Sequence, residues 1–323
     1  MDLSKYQQSF LSYLQDQDFK REPKNLYEPI DYILQLGGKR LRPILTLIAC
    51  DIFSSEYTKA LPAAMAVETF HNFTLVHDDI MDDAPLRRGK ETVHEKWDIN
   101  TGILSGDAML ILAYQYFENY KPEVFQKLAK LFSKTALEVC DGQQLDVDFE
   151  TRNDVTINEY IHMITLKTSV LVGAALKMGA IVAEVEESQA DLLYDFGLNL
   201  GIAFQLQDDY LDTFGNPETF GKQIGGDIIE NKKTFLYLQS LASATSEDKE
   251  KLQFFYNQKL EENTEKVLEV TKIFERNNIP ELTQNLIQEY TTKSFDFLNA
   301  LNISEEAKKS LISFGENLMY RKV

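Results

Sequence analysis

Four carboxylates fall within six positions of the 323-residue chain: Asp78, Asp79, Asp82 and Asp83. Phe70, Phe73, Leu75 and Val76 precede them, so the stretch from Leu61 to Asp83 reads as a buried helix with an acidic end. On a helix Asp78 and Asp82 share a face, roughly 6 Å apart along the axis. Asp79 and Asp83 form a second such pair. Like charges at this spacing repel, so the cluster does not stabilise a helix by itself. A hard divalent cation with oxygen ligands, Mg2+ above all, would neutralise it. The plainer reading is a solvated acidic helix end before Pro85. The pattern returns at Gln205-Leu-Gln-Asp-Asp-Tyr-Leu-Asp212, with Asp208, Asp209 and Asp212. Basic residues and glycine follow each copy: Arg87-Arg88-Gly89-Lys90 after the first, and Gly221-Lys222 through Asp227 after the second. Two acidic helix faces and two basic loops suggest a metal cluster gripping a multiply charged phosphate group between facing helices.

Other residues could serve the same chemistry. Gly37-Gly-Lys-Arg-Leu-Arg-Pro43 joins a helix stop to a helix start. It is either a solvated basic connection or an anion site built from glycines, three cations and helix amides. His71 lies two helical turns before Asp78, as a core residue or as part of a polar pocket. His77 points away from that face and reads as a packing residue. Lys167-Thr168 sits among Ile161, Ile164, Leu166, Val170 and Leu171. That lysine either snorkels to solvent or reaches a phosphate across a cavity. Phe70, Phe73, Phe204 and Tyr210 flank the acidic motifs as apolar lining or as ordinary core.

The elements that must hold these residues are helical, since period-3.6 patterning dominates and strand-like alternation is scarce. Leu3 to Leu14 is amphipathic, and Ile44 to Phe53 is apolar. A helix ends in Cys140-Asp-Gly-Gln-Gln-Leu-Asp146, another runs from Ile157 to Ala183, and Leu192 to Phe214 carries the second acidic motif. Phe235 to Val323 reads as amphipathic helices with polar turns. No linker or low-complexity tract interrupts the chain, which predicts one all-α domain over residues 1–323. Hydrophobic residues make up 44%, enough for a large core. The net charge of −18 argues against a nucleic-acid surface and requires local cations or metal for any anionic substrate. Two cysteines fit a reducing, cytoplasmic setting. The start lacks a signal-peptide pattern, and no apolar run is expected to span a membrane.

These landmarks, in this order, resemble the trans-isoprenyl diphosphate synthases, or polyprenyl synthases. The likeness covers nearly the whole chain: Gly37 to Pro43, His71, Asp78-Asp-Ile-Met-Asp82, Arg87-Arg-Gly89, Gly142-Gln143, Lys167-Thr168, Gln205 with Asp208 to Asp212, and Gly221-Lys222 through Asp227 to Lys232. The resemblance implies an all-α isoprenoid-synthase fold of antiparallel helices around a central cavity. It implies Mg2+, as three ions, held by Asp78, Asp82 and Asp208 with Asp79 and Asp212 assisting. Arg87, Lys167, Lys222 and Lys232 would hold an allylic diphosphate (dimethylallyl, geranyl or farnesyl). Lys39, Arg42, His71 and Arg88 would hold isopentenyl diphosphate. Thr168, Gln205 and the Lys167 carbonyl would stabilise the carbocation. A homodimer is implied as well.

Two alternatives compete. A terpene cyclase of the same fold needs only one diphosphate site, whereas Lys39, Arg42 and Arg88 suggest two. A non-catalytic regulatory subunit would be expected to lose one acidic motif, and both are kept. For product length, Phe73 lies roughly 7.5 Å along the helix from Asp78 and Phe70 roughly 12 Å. A phenyl ring at that depth would be a floor for the growing chain. In the family an aromatic at the position of Phe73, with Thr74 next and no insertion in the motif, favours geranylgeranyl diphosphate over farnesyl diphosphate, while Phe70 could tip it to the shorter one. Tyr320-Arg-Lys-Val323 is either a basic tail that folds over the site or a frayed end.

Overall fold

The computed structural model describes residues 3–216, 224–258 and 263–319. Its regular structure is helical, apart from one two-residue antiparallel pairing among the described residues, β1 (Leu86–Arg87) with β2 (Lys90–Glu91). The chain divides into two compact units. The first comprises Met1–Lys134, Ala174–Tyr194 and Asn302–Ser304; the second comprises Thr135–Gly173, Asp195–Leu301 and Glu305–Val323.

The first unit contains α1 (Leu3–Gln15), α2 (Lys24–Gln35), α3 (Leu41–Ser54), α4 (Leu61–Met81), α5 (Val93–Lys96) and α6 (Ile99–Phe117). Pro62 opens α4, where its missing N–H costs nothing. Residues 63–70 are all buried, so the first half of α4 is enclosed on every side and needs no polar stripe. It packs chiefly against α6 and then α3. It stops at Met81, two residues earlier than its apolar pattern suggests. Asp82 caps it, Asp83 turns left-handed (φ 50°), and Pro85 cannot continue a helix. The chain then forms the β1–β2 hairpin, which sequence periodicity did not reveal. Asp98 caps α6 by accepting a hydrogen bond from the Thr101 amide at 2.9 Å.

Further along lie α7 (Pro122–Thr151), α8 (Ile157–Ile164), α9 (Val170–Val182) and α10 (Glu187–Phe214). The helix expected to end at Asp146 runs on to Thr151. Thr156 and Glu159 form a reciprocal capping box that starts α8. Between α8 and α9, Thr165–Ser169 is a π-helical turn, so the expected Ile157–Ala183 helix carries one extra residue per turn at Lys167-Thr168. Ile157–Val182 is long and apolar enough to cross a membrane, which corrects the expectation that no stretch is. Its most apolar window is 67% buried, as in the core helix of a folded domain. Beyond α10, helices span Gly226–Ile229, Phe235–Ser243, Ser246–Tyr256, Thr264–Arg276, Ile279–Ala300 and Glu305–Met319.

Candidate active site

Asp79 is 1% exposed, and its carboxylate accepts from the Arg87 Nε at 2.9 and 2.8 Å and from Nη2 at 2.6 Å. This forked pairing fixes Arg87, which the hairpin brings back over the end of α4. Asp78 is half-buried on the last helical turn, and Asp82 and Asp83 are exposed beyond it.

The predicted anion-binding residues of the first unit also gather. The Arg42 guanidinium stands 3.2 Å from His71 Nε2 through Nη1. Burial and the charges of Arg42, Arg88, Arg87 and Arg40 hold the His71 pKa well below its usual value. The ring is therefore neutral near pH 7, and Nε2 accepts from Arg42 while Nδ1 carries the proton. Arg42 Nε is buried without a hydrogen-bond partner among the described residues, which suits an anionic oxygen. Burial lowers the Arg42 pKa against the pull of Glu68. Arg88 donates to the Gly37 carbonyl. Gly38 makes that approach possible: its φ is 120°, and a Cβ there would lie 2.8 Å from the Arg88 guanidinium carbon. Lys39 is exposed on the same loop. The third cation of the segment differs: Arg40 is 5% exposed and bonded to Glu68, itself 2% exposed, so it belongs to the core.

In the second unit Asp208, Asp209 and Asp212 lie on α10, with Asp208 and Asp212 half-buried. Asp212 Oδ2 accepts from the Asp227 amide at 3.0 Å, and its carbonyl accepts from the Gly225 amide at 2.6 Å. Burial pushes the Asp227 carboxyl well above the carboxylate range, aided by Asp209 and Asp212. Burial does the same to Asp209, against its bonds to Tyr160 and Gln205 and with the Asp208 charge adding to the shift. Crowded this closely, these carboxyls hold protons that a hard divalent ion would displace, and their oxygens are the donors such an ion takes. Lys232 is 2.9 Å from Glu230 and 3.9 Å from Asp227. Burial alone would lower its pKa, but these acids outweigh burial and raise it.

The π turn aims two more predicted residues. Lys167 Nζ donates to Asp146 Oδ2 at 2.5 Å. Thr168 Oγ1 donates to Gln205 Oε1 at 3.3 Å, and Gln205 Nε2 donates to Asp209 Oδ1 at 2.9 Å. A Cβ at Gly142 would collide with the backbone of Lys167, so only glycine lets α7 approach the turn this closely.

On α4, Phe73 is 9% exposed. Its ring centroid lies 5.5 Å from that of Phe70 and 4.8 Å from that of His77, in keeping with a packing role for His77. Phe70 rests on Phe132 at 5.0 Å, and Phe132 on Tyr114 at 4.7 Å. Thr74 bonds the His71 carbonyl of its own helix.

Sequence reasoning missed several contributors. Tyr160 donates to Asp209, and Asp146 pairs with Lys167. Lys266 is 0% exposed and donates to the Ile229 carbonyl at 3.2 Å and to Asn231 Oδ1 at 2.6 Å, bracing the loop that carries Asp227 and Lys232. Isolated residues of these kinds carry no motif; only their placement beside known landmarks marks them. Lys222 and the tail from Tyr320 to Val323 lie outside the described residues.

An all-α protein that sets arginines and lysines against acidic helix ends belongs with enzymes that handle polyphosphorylated substrates. Comparison makes the class specific. The family model for polyprenyl synthetase matches residues 23–274. The geranylgeranyl diphosphate synthase of Methanosarcina mazei is 41% identical over 228 residues, 70% of each chain. A crystal structure of a geranylgeranyl pyrophosphate synthase is 53% identical, covers all of both chains and superposes with a TM-score of 0.95. The polyprenyl synthase of Caulobacter crescentus, solved with calcium and isoprenyl diphosphate, is 26% identical, covers 100% of this chain and 95% of its own, and has a TM-score of 0.85. The chain belongs to the polyprenyl synthetase family and has the isoprenoid-synthase fold.

Proposed function

We propose that residues 1–323 work as one catalytic domain that joins an allylic diphosphate to isopentenyl diphosphate head to tail. The product would be a short all-trans prenyl diphosphate, geranylgeranyl diphosphate first and farnesyl diphosphate next. The observation that carries this reading is the Arg42–His71 pair with the Gly37–Arg88 contact, a cationic group additional to Arg87 on Asp79. Two anion-binding groups suit two diphosphates. The full-length likeness to a geranylgeranyl pyrophosphate synthase supports the product.

Asp78, Asp82 and Asp208, with Asp212, would hold Mg2+ as three ions. Bound there, Mg2+ would neutralise charge on the departing diphosphate. Asp79 acts through Arg87, which it orients toward that diphosphate. Lys167, Lys222 and Lys232 add positive charge where the leaving oxygen becomes negative. The carbon–oxygen bond of the allylic substrate breaks, and diphosphate leaves with the electron pair. The Lys167 carbonyl, Thr168 and Gln205 present oxygen atoms to the carbocation. Lys39, Arg42, His71 and Arg88 hold isopentenyl diphosphate so that its double bond attacks. The proton then lost from the new chain passes to diphosphate, so no side-chain base is needed. Water would destroy the cation, and apolar residues such as Phe73 help to exclude it.

We further propose a homodimer, no membrane span, no nucleic-acid partner and a cytoplasmic location. The unpaired Cys50 and Cys140 fit a reducing compartment. The test is to mix the protein with Mg2+, isopentenyl diphosphate and each allylic primer, and to identify products by mass. Linear geranylgeranyl diphosphate is expected; cyclic hydrocarbon or no product would overturn the reading. Asp78→Ala and Asp208→Ala should each lower turnover by about 10²–10³-fold or more.

A further inference from the structure

Beyond α4 the fold collects three residues that prenyl transfer does not use: Asp83, His94 and Glu95. Each offers a ligand atom, and these atoms lie within 4.8 Å of one another. Asp83 sits just past the helix end in a left-handed conformation, and His94 and Glu95 lie on α5. His94 is 8% exposed, yet neither of its ring nitrogens has a hydrogen-bond partner among the described residues. Burying an imidazole in that state is costly unless something meets it. Glu95 Oε1 lies 3.7 Å from His94 Nε2. That gap is too long for a hydrogen bond. It is close to the separation of about 3.4 Å between two ligands of one tetrahedral ion.

We propose that Asp83, His94 and Glu95 form a second cation site, one that takes a divalent first-row transition-metal ion of the Zn2+ kind. A nitrogen with two carboxylate oxygens suits such an ion, whereas Mg2+ prefers oxygen alone. Three protein ligands leave a position for water. The carboxylates of Asp83 and Glu95 are exposed, so both can close by rotamer change onto the buried imidazole. The site has a mechanical consequence. Residues 83 and 94 stand at the two ends of the segment carrying the β1–β2 hairpin, with Arg87 and Arg88. An ion there ties those ends together and holds the hairpin against the end of α4.

The test uses the full chain in excess Mg2+, which fills the oxygen-only sites, with ZnCl2 as the probe. The chain has four histidines, so their ring signals can be followed singly by 1H–15N NMR. One ring, assigned through its loss in His94→Gln, should shift on Zn2+ addition. Equilibrium dialysis should find one fewer tightly held Zn2+ per chain in His94→Gln. Asp83→Asn and Glu95→Gln should each weaken that ion by at least about tenfold. Zn2+ held by other carboxylates is common to all variants and cancels. The proposal falls if no ring shifts, if only another histidine shifts, or if the variants hold as much Zn2+ as the parent. A shift of the His94 ring with pH but not with Zn2+ would make it a protonated partner of the two acids instead. Should His94→Gln fail to fold, the parent's ring signals and the two carboxylate variants decide the matter alone.

Discussion

At the residue scale, Arg42 shows how one side chain can serve both structure and ligand. Its Nη1 is held by a neutral His71, so no carboxylate cancels its charge at that contact, and its Nε is left for an anion. Arg42→Ala should raise the KM for isopentenyl diphosphate by about ten- to a hundredfold, the worth of one charge-assisted contact. The KM for the allylic diphosphate should change little; equal rises for both would show that the two anion sites are not separate. Phe73 carries the second residue-scale prediction. Its ring is backed by Phe70, and Phe70 by Phe132, so removing one ring deepens the wall by one layer. Phe73→Ala should lengthen the products seen by mass spectrometry. An unchanged distribution from a folded, active variant would remove Phe73 as the floor.

At the element scale, short irregular pieces position the chemistry. The hairpin returns Arg87 to Asp79, and the π turn carries Lys167 and Thr168 to Asp146 and Gln205. The helix Thr264–Arg276 supports a third such piece. Val267 abuts Gly225, whose φ of 79° admits no side chain easily, and Lys266 reaches under the loop to Ile229 and Asn231. Burial lowers the Lys266 pKa, and its bonds run to neutral oxygens. Lys266→Met keeps the volume but leaves those oxygens unmet. It should raise the KM for the allylic diphosphate by about tenfold while sparing that for isopentenyl diphosphate, since each lost bond frees the loop bearing Lys232. Lower thermal stability with unchanged kinetics would instead confine Lys266 to a structural role.

At the scale of the whole molecule, α6 presents Ile99, Ile103, Leu104 and Ile111 to solvent, at 55%, 41%, 59% and 59% exposure. These four exposed aliphatic side chains on one helix are where we place the interface of the proposed homodimer. Leu104→Asp combined with Ile111→Asp should give a monomer by light scattering. If the mass stays that of a dimer, α6 is not the interface. The net charge of −18 makes the local cations matter more, because the chain as a whole repels an anionic substrate.

Much of this was legible in the chain itself. Apolar runs at helical period determined an all-α protein, and the twin aspartate motifs with their trailing arginines and lysines pointed to diphosphate chemistry. Such signals are local: a period or a spacing survives in one dimension. Tertiary structure decided what depends on approach. Arg40 looks like Lys39 and Arg42 in sequence, yet the fold buries it on Glu68, 28 residues away. Asp79 reads in sequence as assisting a metal, and only the fold shows that a hairpin too short to register as periodicity also brings Arg87 onto it. Tyr160 reaches Asp209 across 49 residues, and Lys266 reaches Asn231 across 35. The π turn adds a single residue that hydrophobic patterning cannot register. Helix type is set by neighbours within a few positions, whereas the state of each charged group is set by whatever the fold packs against it.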